Sequence, residues 1–159
     1  SAVALYIEKL DREFDLMLIT EYFDESLLLL RKLMCWSFGD ILYITQNART
    51  NNSDPKSFSE ELKNKIRKWN VADSSLYKHF NQTLWKKIAE YGPDFQRDLV
   101  YFRGMKAGLH KTCVSQSIGK KIHGKMKVAY EVLPNSSEYC TLMSDKKKVF
   151  RNSGKDKWE

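Results

Sequence analysis

Residues 14–30 read Phe14-Asp15-Leu16-Met17-Leu18-Ile19-Thr20-Glu21-Tyr22-Phe23-Asp24-Glu25-Ser26-Leu27-Leu28-Leu29-Leu30, and the fold turns on how this stretch is read. Residues 14–19 form a short apolar run bounded by charges, the pattern of a strand buried on both faces. Asp24 stands where a helix N-cap belongs, and Leu27, Leu30, Leu33 and Met34 follow at helical spacing. Gly39 breaks that helix, and Ile41-Leu42-Tyr43-Ile44 reads as a second strand. Strand, helix and strand make a βαβ-like unit, in which ligands gather at the carboxyl ends of the strands. Glu21 occupies that place after the first strand. A carboxylate there is able to orient a hydroxyl group or take its proton, although the dipole of the following helix also favours an acid at this point for purely structural reasons.

Beyond this unit, residues 45–57 are polar and read as a loop. Ser57 and Glu60 have capping-box spacing and open a helix continued by Leu62, Ile66 and Trp69. Leu76, Phe80, Leu84, Ile88 and Tyr91 make one apolar stripe after a restart near Asp73. Gly92-Pro93 ends that helix and starts another, with Phe95, Leu99 and Phe102 along one face. From Cys113 onward the pattern weakens into loop, and residues 144–159 read as a basic tail.

The 159 residues carry 27 Lys and Arg against 20 Asp and Glu, a net charge of +7. A hydrophobic share of 42% excludes a disordered chain, and seven Gly with three Pro exclude a low-complexity one. The longest purely apolar run, Leu27-Leu28-Leu29-Leu30, is far short of the ~20 residues that cross a bilayer. Positive charge concentrates in residues 99–130, which contain Arg103, Lys106, Lys111, Lys120, Lys121, Lys125 and Lys127 and no acid. Such a stretch attracts phosphates or sulfates. Nucleic acid is not the expected partner, because the aromatic residues fall at helical core spacings and are not interleaved with the lysines.

Cys35, Cys113 and Cys140 lack metal-ligand spacing, and no histidine forms an HxxxH or HxE pair, so no metal is expected. Cys35, within Leu33-Met34-Cys35-Trp36, reads as a small core residue. Cys113 and Cys140 flank the basic stretch and are able to bridge in an oxidising compartment. Asn51, Asn81 and Asn135 head N-glycosylation sequons, which together with that pairing tilt the compartment toward the secretory pathway. No GxxxxGK[ST] or GxGxxG word occurs. Gly119-Lys120-Lys121-Ile122-His123-Gly124-Lys125 is the nearest thing to a phosphate cradle, glycines allowing close approach of an anion and lysines supplying countercharge.

Taken as words in order, residues 14–30 followed by Leu33-Met34-Cys35-Trp36, Asp40-Ile41-Leu42-Tyr43 and Asn47-Ala48-Arg49 resemble the galactose-3-O-sulfotransferase family, including its galactosylceramide sulfotransferase-like members. Trp69-Asn70, Asp73, Leu76-Tyr77-Lys78-His79-Phe80-Asn81 and Thr83-Leu84-Trp85 continue the resemblance in register. It is specific through residues 14–113 and looser afterwards, where Gly119 to Gly124 resembles a shorter version of a glycine- and lysine-containing loop.

The resemblance implies an α/β architecture: an incomplete P-loop-like sulfotransferase fold, mostly helical, with a short parallel sheet near the N-terminus. It further implies that residues 1–159 are the C-terminal portion of a single sulfotransferase domain. The implied reaction moves sulfate from 3′-phosphoadenosine 5′-phosphosulfate to the 3-hydroxyl of galactose in a glycolipid or glycoprotein. The implied setting is the lumenal side of the Golgi membrane, reached through an N-terminal anchor that this segment lacks along with the donor's 5′-phosphosulfate loop. On that basis Glu21 is the acceptor-side candidate, and Gly119, Lys121 and Gly124 the donor-side candidates. The competing expectation is a non-catalytic anion- or glycan-binding module on the same scaffold.

Overall fold

A computed structural model describes residues 2–45, 58–115, 118–122, 125–129, 132–133 and 137–144. The basic tail from residue 145, the sequons at Asn51 and Asn135, and Gly124 lie outside the described residues. The chain divides into two units, Ser1–Ile41 with Pro55–Phe102 and Leu42–Asp54 with Arg103–Glu159.

The first unit is helical. Helix α1 (Ala2–Glu13) leads through an irregular segment to a 3-10 turn at Thr20–Tyr22, and α2 (Phe23–Leu33) follows. A second 3-10 turn spans Gly39–Ile41, then come α3 (Glu60–Trp69), α4 (Val71–Tyr91) and α5 (Asp94–Cys113), whose last residues pass into the second unit. Helices α1, α2 and α3 all pack on α4. The reason is the apolar stripe of α4: Phe80 and Leu84 are buried with Ile19 and Leu29, and Leu76, Ile88 and Tyr91 close over them together with Leu10, Leu16, Met17 and Tyr22. Gly92, at φ +91°, takes the backbone out of α4 in a conformation that a side chain would oppose. Phe95, Leu99 and Phe102 on α5 are all buried.

The parallel sheet expected of residues 14–19 and 41–44 is not formed among the described residues. Residues 14–18 are irregular, the amide of Ile19 is taken by a side chain, and Ile41 ends a 3-10 turn. That turn is held by Asp40, whose carboxylate accepts from the Ser37 hydroxyl at 2.7 Å and the Ser37 amide at 2.8 Å. These hydrogen bonds, the hydroxyl's first, hold the Asp40 carboxyl below its ordinary pKa. Ile19 from the first run and Ile41 and Ile44 from the second are buried, with no ladder among the described residues. Helix α3 begins at Glu60 with Ser59 as its cap, the Ser59 hydroxyl accepting from the Leu62 amide at 3.3 Å, so the cap lies two residues beyond the expected Ser57.

Helix α2 is phased differently from the expected pattern: Ser26, Leu28 and Leu29 are its buried residues, and Leu33 and Met34 are exposed. Cys35 is exposed as well, not in the core. It stands at φ +54°, in the left-handed position that closes a helix: the Trp36 amide donates to the Arg31 carbonyl at 2.9 Å and the Cys35 amide to the Lys32 carbonyl at 3.4 Å. That is the Schellman arrangement, with cysteine where glycine is usual.

Arg31 leaves α2 toward a half-buried polar cluster. Its guanidinium donates to the Tyr91 hydroxyl at 2.8 Å and lies 3.3 Å from Asp98, and the Tyr91 hydroxyl donates to Asp98 at 2.7 Å. The same guanidinium sits 4.0 Å from the centre of the Phe38 ring. The Tyr91 hydrogen bond, then those of Arg97 and the charge of Arg31, outweigh partial burial and hold the Asp98 carboxyl below its ordinary value.

In the second unit, strands β1 (Ile118–Ile122) and β2 (Lys125–Ala129) pair as an antiparallel hairpin, with Lys120 opposite Lys127. Gly119 and Lys121 therefore lie in a strand and not in a glycine loop. A disulfide joins Cys113 at the end of α5 to Cys140 in α6 (Glu138–Ser144), and both half-cystines are buried with Ile44 and Val114. Val114 also bridges Val132 across an isolated antiparallel contact.

Three consequences for stability follow from these contacts. Replacing Cys35 by Gly relieves the left-handed strain without removing a packed side chain, and raises stability by about 1 kcal/mol in urea unfolding. Ser26→Ala leaves the buried Ile19 amide without its acceptor and lowers stability by about 1–3 kcal/mol in the same measurement. Because the folded pKa of Asp98 is depressed, its contribution is complete above the ordinary carboxylate value of about 4 and fades as the pH falls through the lower folded value. Thermal melts of the protein and of Asp98→Asn accordingly differ near neutrality and converge in acid.

Candidate functional site

The position of Glu21 is set by a buried side chain seven residues later. Ser26 is completely buried on the first turns of α2, and its hydroxyl both accepts from the Ile19 amide at 3.1 Å and faces the Ile19 carbonyl at 3.4 Å. Ile19 itself is buried among Leu29, Phe80 and Leu84. With Ile19 anchored, the Tyr22 amide closes on the Ile19 carbonyl at 3.0 Å, and the intervening Thr20 and Glu21 are carried to the surface. Glu21 is exposed and makes no ion pair or hydrogen bond among the described residues. By contrast, Glu60, Glu61, Glu90 and Asp94 all have basic partners.

Beside Glu21 stands a set of aromatic side chains from α4. Tyr22 meets Trp85 edge to face with centroids 5.0 Å apart. Tyr77 lies two turns earlier on the helix, where partial burial first, and then the charge of Glu21 and the neighbouring Tyr22, raise the phenol above its ordinary pKa. Tyr77 and Trp85 are nevertheless 44% and 45% exposed, so their rings are only half used by the core. Between them, at the same four-residue step, lies Asn81. Its Oδ1 is buried and has no hydrogen-bond partner among the described residues. Residues 77, 81 and 85 thus form a second stripe alongside the buried one, mixed in character where the first is purely apolar. His79 is on α4 too but turns to α1, 2.8 Å from Asp11.

A separate hollow of about 270 Å³ opens toward the other flank of the α4 stripe, between Leu16, Leu29, Leu33 and Tyr91, with Lys32 held 4.1 Å over the Tyr91 ring. Its rim carries both signs, Asp15 and Glu90 with Lys87, so it offers no net field to an ion. Among the described residues no group of three or more His, Cys, Asp or Glu is arranged to hold a metal, and no helix is long and apolar enough to cross a membrane.

The residues singled out from sequence do not form one described site. Glu21 belongs to the first unit, Gly119 and Lys121 to the second. Asn81 stands on α4 as a partly buried side chain, a placement the sequon reading did not address. Tyr77 and Trp85 were missed, although their spacing beside the core stripe was the available signal.

Known proteins supply the context. Galactosylceramide sulfotransferase of Bos taurus is 38% identical over 110 residues, covering 69% of this chain and 26% of the relative. Galactose-3-O-sulfotransferase 3 of Mus musculus is 44% identical over 86 residues, covering 54% and 20%, and galactose-3-O-sulfotransferase 4 of Homo sapiens 36% identical over 115 residues, covering 66% and 24%. The chain thus spans about a quarter of the length of the curated relatives it matches. No solved structure matches. The family profile described as Galactose-3-O-sulfotransferase matches residues 1–149, and the chain belongs to that family.

Proposed function

We propose that these residues are the C-terminal portion of a galactose 3-O-sulfotransferase domain, inactive without the remainder of that domain. The whole enzyme would take sulfate from 3′-phosphoadenosine 5′-phosphosulfate and place it on the 3-hydroxyl of a terminal galactose, in a glycolipid or glycoprotein, on the lumenal side of the Golgi membrane. The observation that carries the reading is the family match across residues 1–149 by a chain spanning a quarter of its relatives.

In such a transfer the galactose oxygen forms a bond to sulfur as the bond from sulfur to the bridging phosphate oxygen breaks. The hydroxyl proton leaves to a base, and negative charge grows on the departing nucleotide. Glu21, exposed and without an ion-pair partner among the described residues, is the proposed acceptor-side carboxylate. Gly119, Lys121 and Gly124 are the proposed donor-side residues. What supports this role is composition and register: residues 99–130 carry seven lysines and arginines and no acid, and Lys120 stands opposite Lys127 in the hairpin. The proposed fold remains P-loop-like: residues 15–18 form no backbone hydrogen bond among the described residues, as expected of a strand whose neighbours belong to other parts of the domain.

Radiolabelled sulfate transfer to galactosylceramide and lactosylceramide tests the reading. The 159-residue chain is expected to transfer none and the complete gene product to transfer to at least one. In the complete enzyme Lys121→Ala raises the donor KM about tenfold with an unchanged melting temperature. Transfer by the short chain overturns the fragment proposal. A complete product that binds galactosides and transfers nothing overturns the enzyme in favour of a glycan-binding module.

A further inference from the structure

None of the ten residues of α3 is buried, and among the described residues the helix packs against α4 and no other element. Its apolar side chains are nevertheless gathered on one side. Leu62, Ile66 and Trp69 stand at steps of four and three, within about 60° of one another around the helix axis. Phe58 precedes them by one more step of four. These side chains are exposed by 52% at Phe58, 41% at Leu62, 44% at Ile66 and 89% at Trp69. Single exposed apolar residues are ordinary on a surface, but a row of four along one helix face marks an interaction site.

The border of this row says what lies against it. Every other residue of α3 is charged apart from Asn64, with four basic residues against two acidic ones, a net +2. Glu60 pairs with Lys63 at 2.6 Å and Glu61 with Lys65 at 3.0 Å, both at the surface, and Lys68 has no partner among the described residues. Lys63 and Lys65 stand on the two sides of the apolar row. A protein partner pressed onto it would strip water from this charged border, and a second copy of the helix would bring the lysines against their own equivalents. A phospholipid surface makes neither demand. Apolar side chains enter the acyl boundary, an indole rests at headgroup depth, and lysine stems follow the apolar surface to set their ammonium groups among phosphates.

We infer that α3 is an interfacial helix, lying along a phospholipid bilayer with Phe58, Leu62, Ile66 and Trp69 inserted and Lys63 and Lys65 at the headgroup phosphates. It lies on the bilayer and does not cross it, since ten residues rise only about 15 Å against a hydrocarbon core of about 30 Å. The inference goes beyond the proposed function and needs no transfer reaction.

Co-sedimentation of the 159-residue chain with vesicles of phosphatidylcholine, and of phosphatidylcholine with phosphatidylserine, tests it. The chain is expected to bind both, several-fold more tightly with phosphatidylserine at low salt. Its tryptophan emission shifts to the blue and is quenched by brominated acyl chains, and Trp69→Ala removes that shift. Trp69→Ala weakens binding about tenfold and Ile66→Glu abolishes it. Both variants keep the melting temperature, because neither side chain is part of the core. No binding, binding unmoved by Trp69→Ala, or binding confined to phosphatidylserine vesicles and abolished by salt each overturns the inference, as does a fall in melting temperature on Ile66→Glu. A dimer in sedimentation velocity that Ile66→Glu dissolves assigns the face to a second copy and overturns it too. Binding by the 159-residue chain that is lost in the complete gene product without its anchor assigns the face to the rest of the domain, with the same consequence. Vesicle binding with no sulfate transfer by the complete product leaves this inference standing and removes the enzyme. Transfer to a water-soluble galactoside with no vesicle binding does the reverse.

Discussion

The hydroxyl of Ser26 against the main chain of Ile19 is the contact on which the first unit depends. It satisfies a buried amide that would otherwise have no partner, and it does so from inside the helix that the Ile19 segment precedes. The local consequence is a fixed entry into α2. Ile19 is committed to the core, the chain must turn tightly, and Thr20 and Glu21 have only the surface left to them. Tyr22 then falls back onto Trp85. A hydroxyl with nowhere else to bond thus places a carboxylate and an aromatic edge in fixed relation to α4.

Helix α4 carries two kinds of information on adjacent stripes. Residues 76, 80, 84, 88 and 91 hold the unit together, and residues 77, 81 and 85 stand beside them. The first stripe is uniform because burial rewards only apolar area. The second mixes phenol, amide and indole: Tyr77 and Trp85 are half exposed, and Trp85 packs edge to face with Tyr22. A helix packed upon by α1, α2 and α3 is a rigid support for such a row.

Much of this architecture was legible because some patterns carry both period and phase. The α4 and α5 stripes interrupted by Gly92-Pro93 specify which side chains go inward, and the structure buries or packs them all. Four consecutive leucines at 27–30 specify a period but no phase, so the inward pair became Leu28 and Leu29 once Ser26 had set the rotation of α2. Cys35 looked interior from its apolar neighbours, but the helix ends before it and its backbone conformation faces it to solvent. Residues 14–19 looked like a strand because a short apolar run has no period that separates strand from buried coil. The pairing partner decides, and a partner distant in sequence leaves no local trace.

The charge distribution follows the same division of labour. Residues 103–130 contain seven lysines and arginines and no acid, and all belong to the second unit. The exposed Glu21 and its aromatic neighbours belong to the first. A transfer reaction needs positive charge where a leaving phosphate accumulates electrons and a negative or neutral acceptor wall where a hydroxyl loses its proton. Glu21 takes part in no ion pair among the described residues. On the proposed reading, the hairpin whose register sets Lys120 opposite Lys127 is where the countercharge to the leaving phosphate would come from.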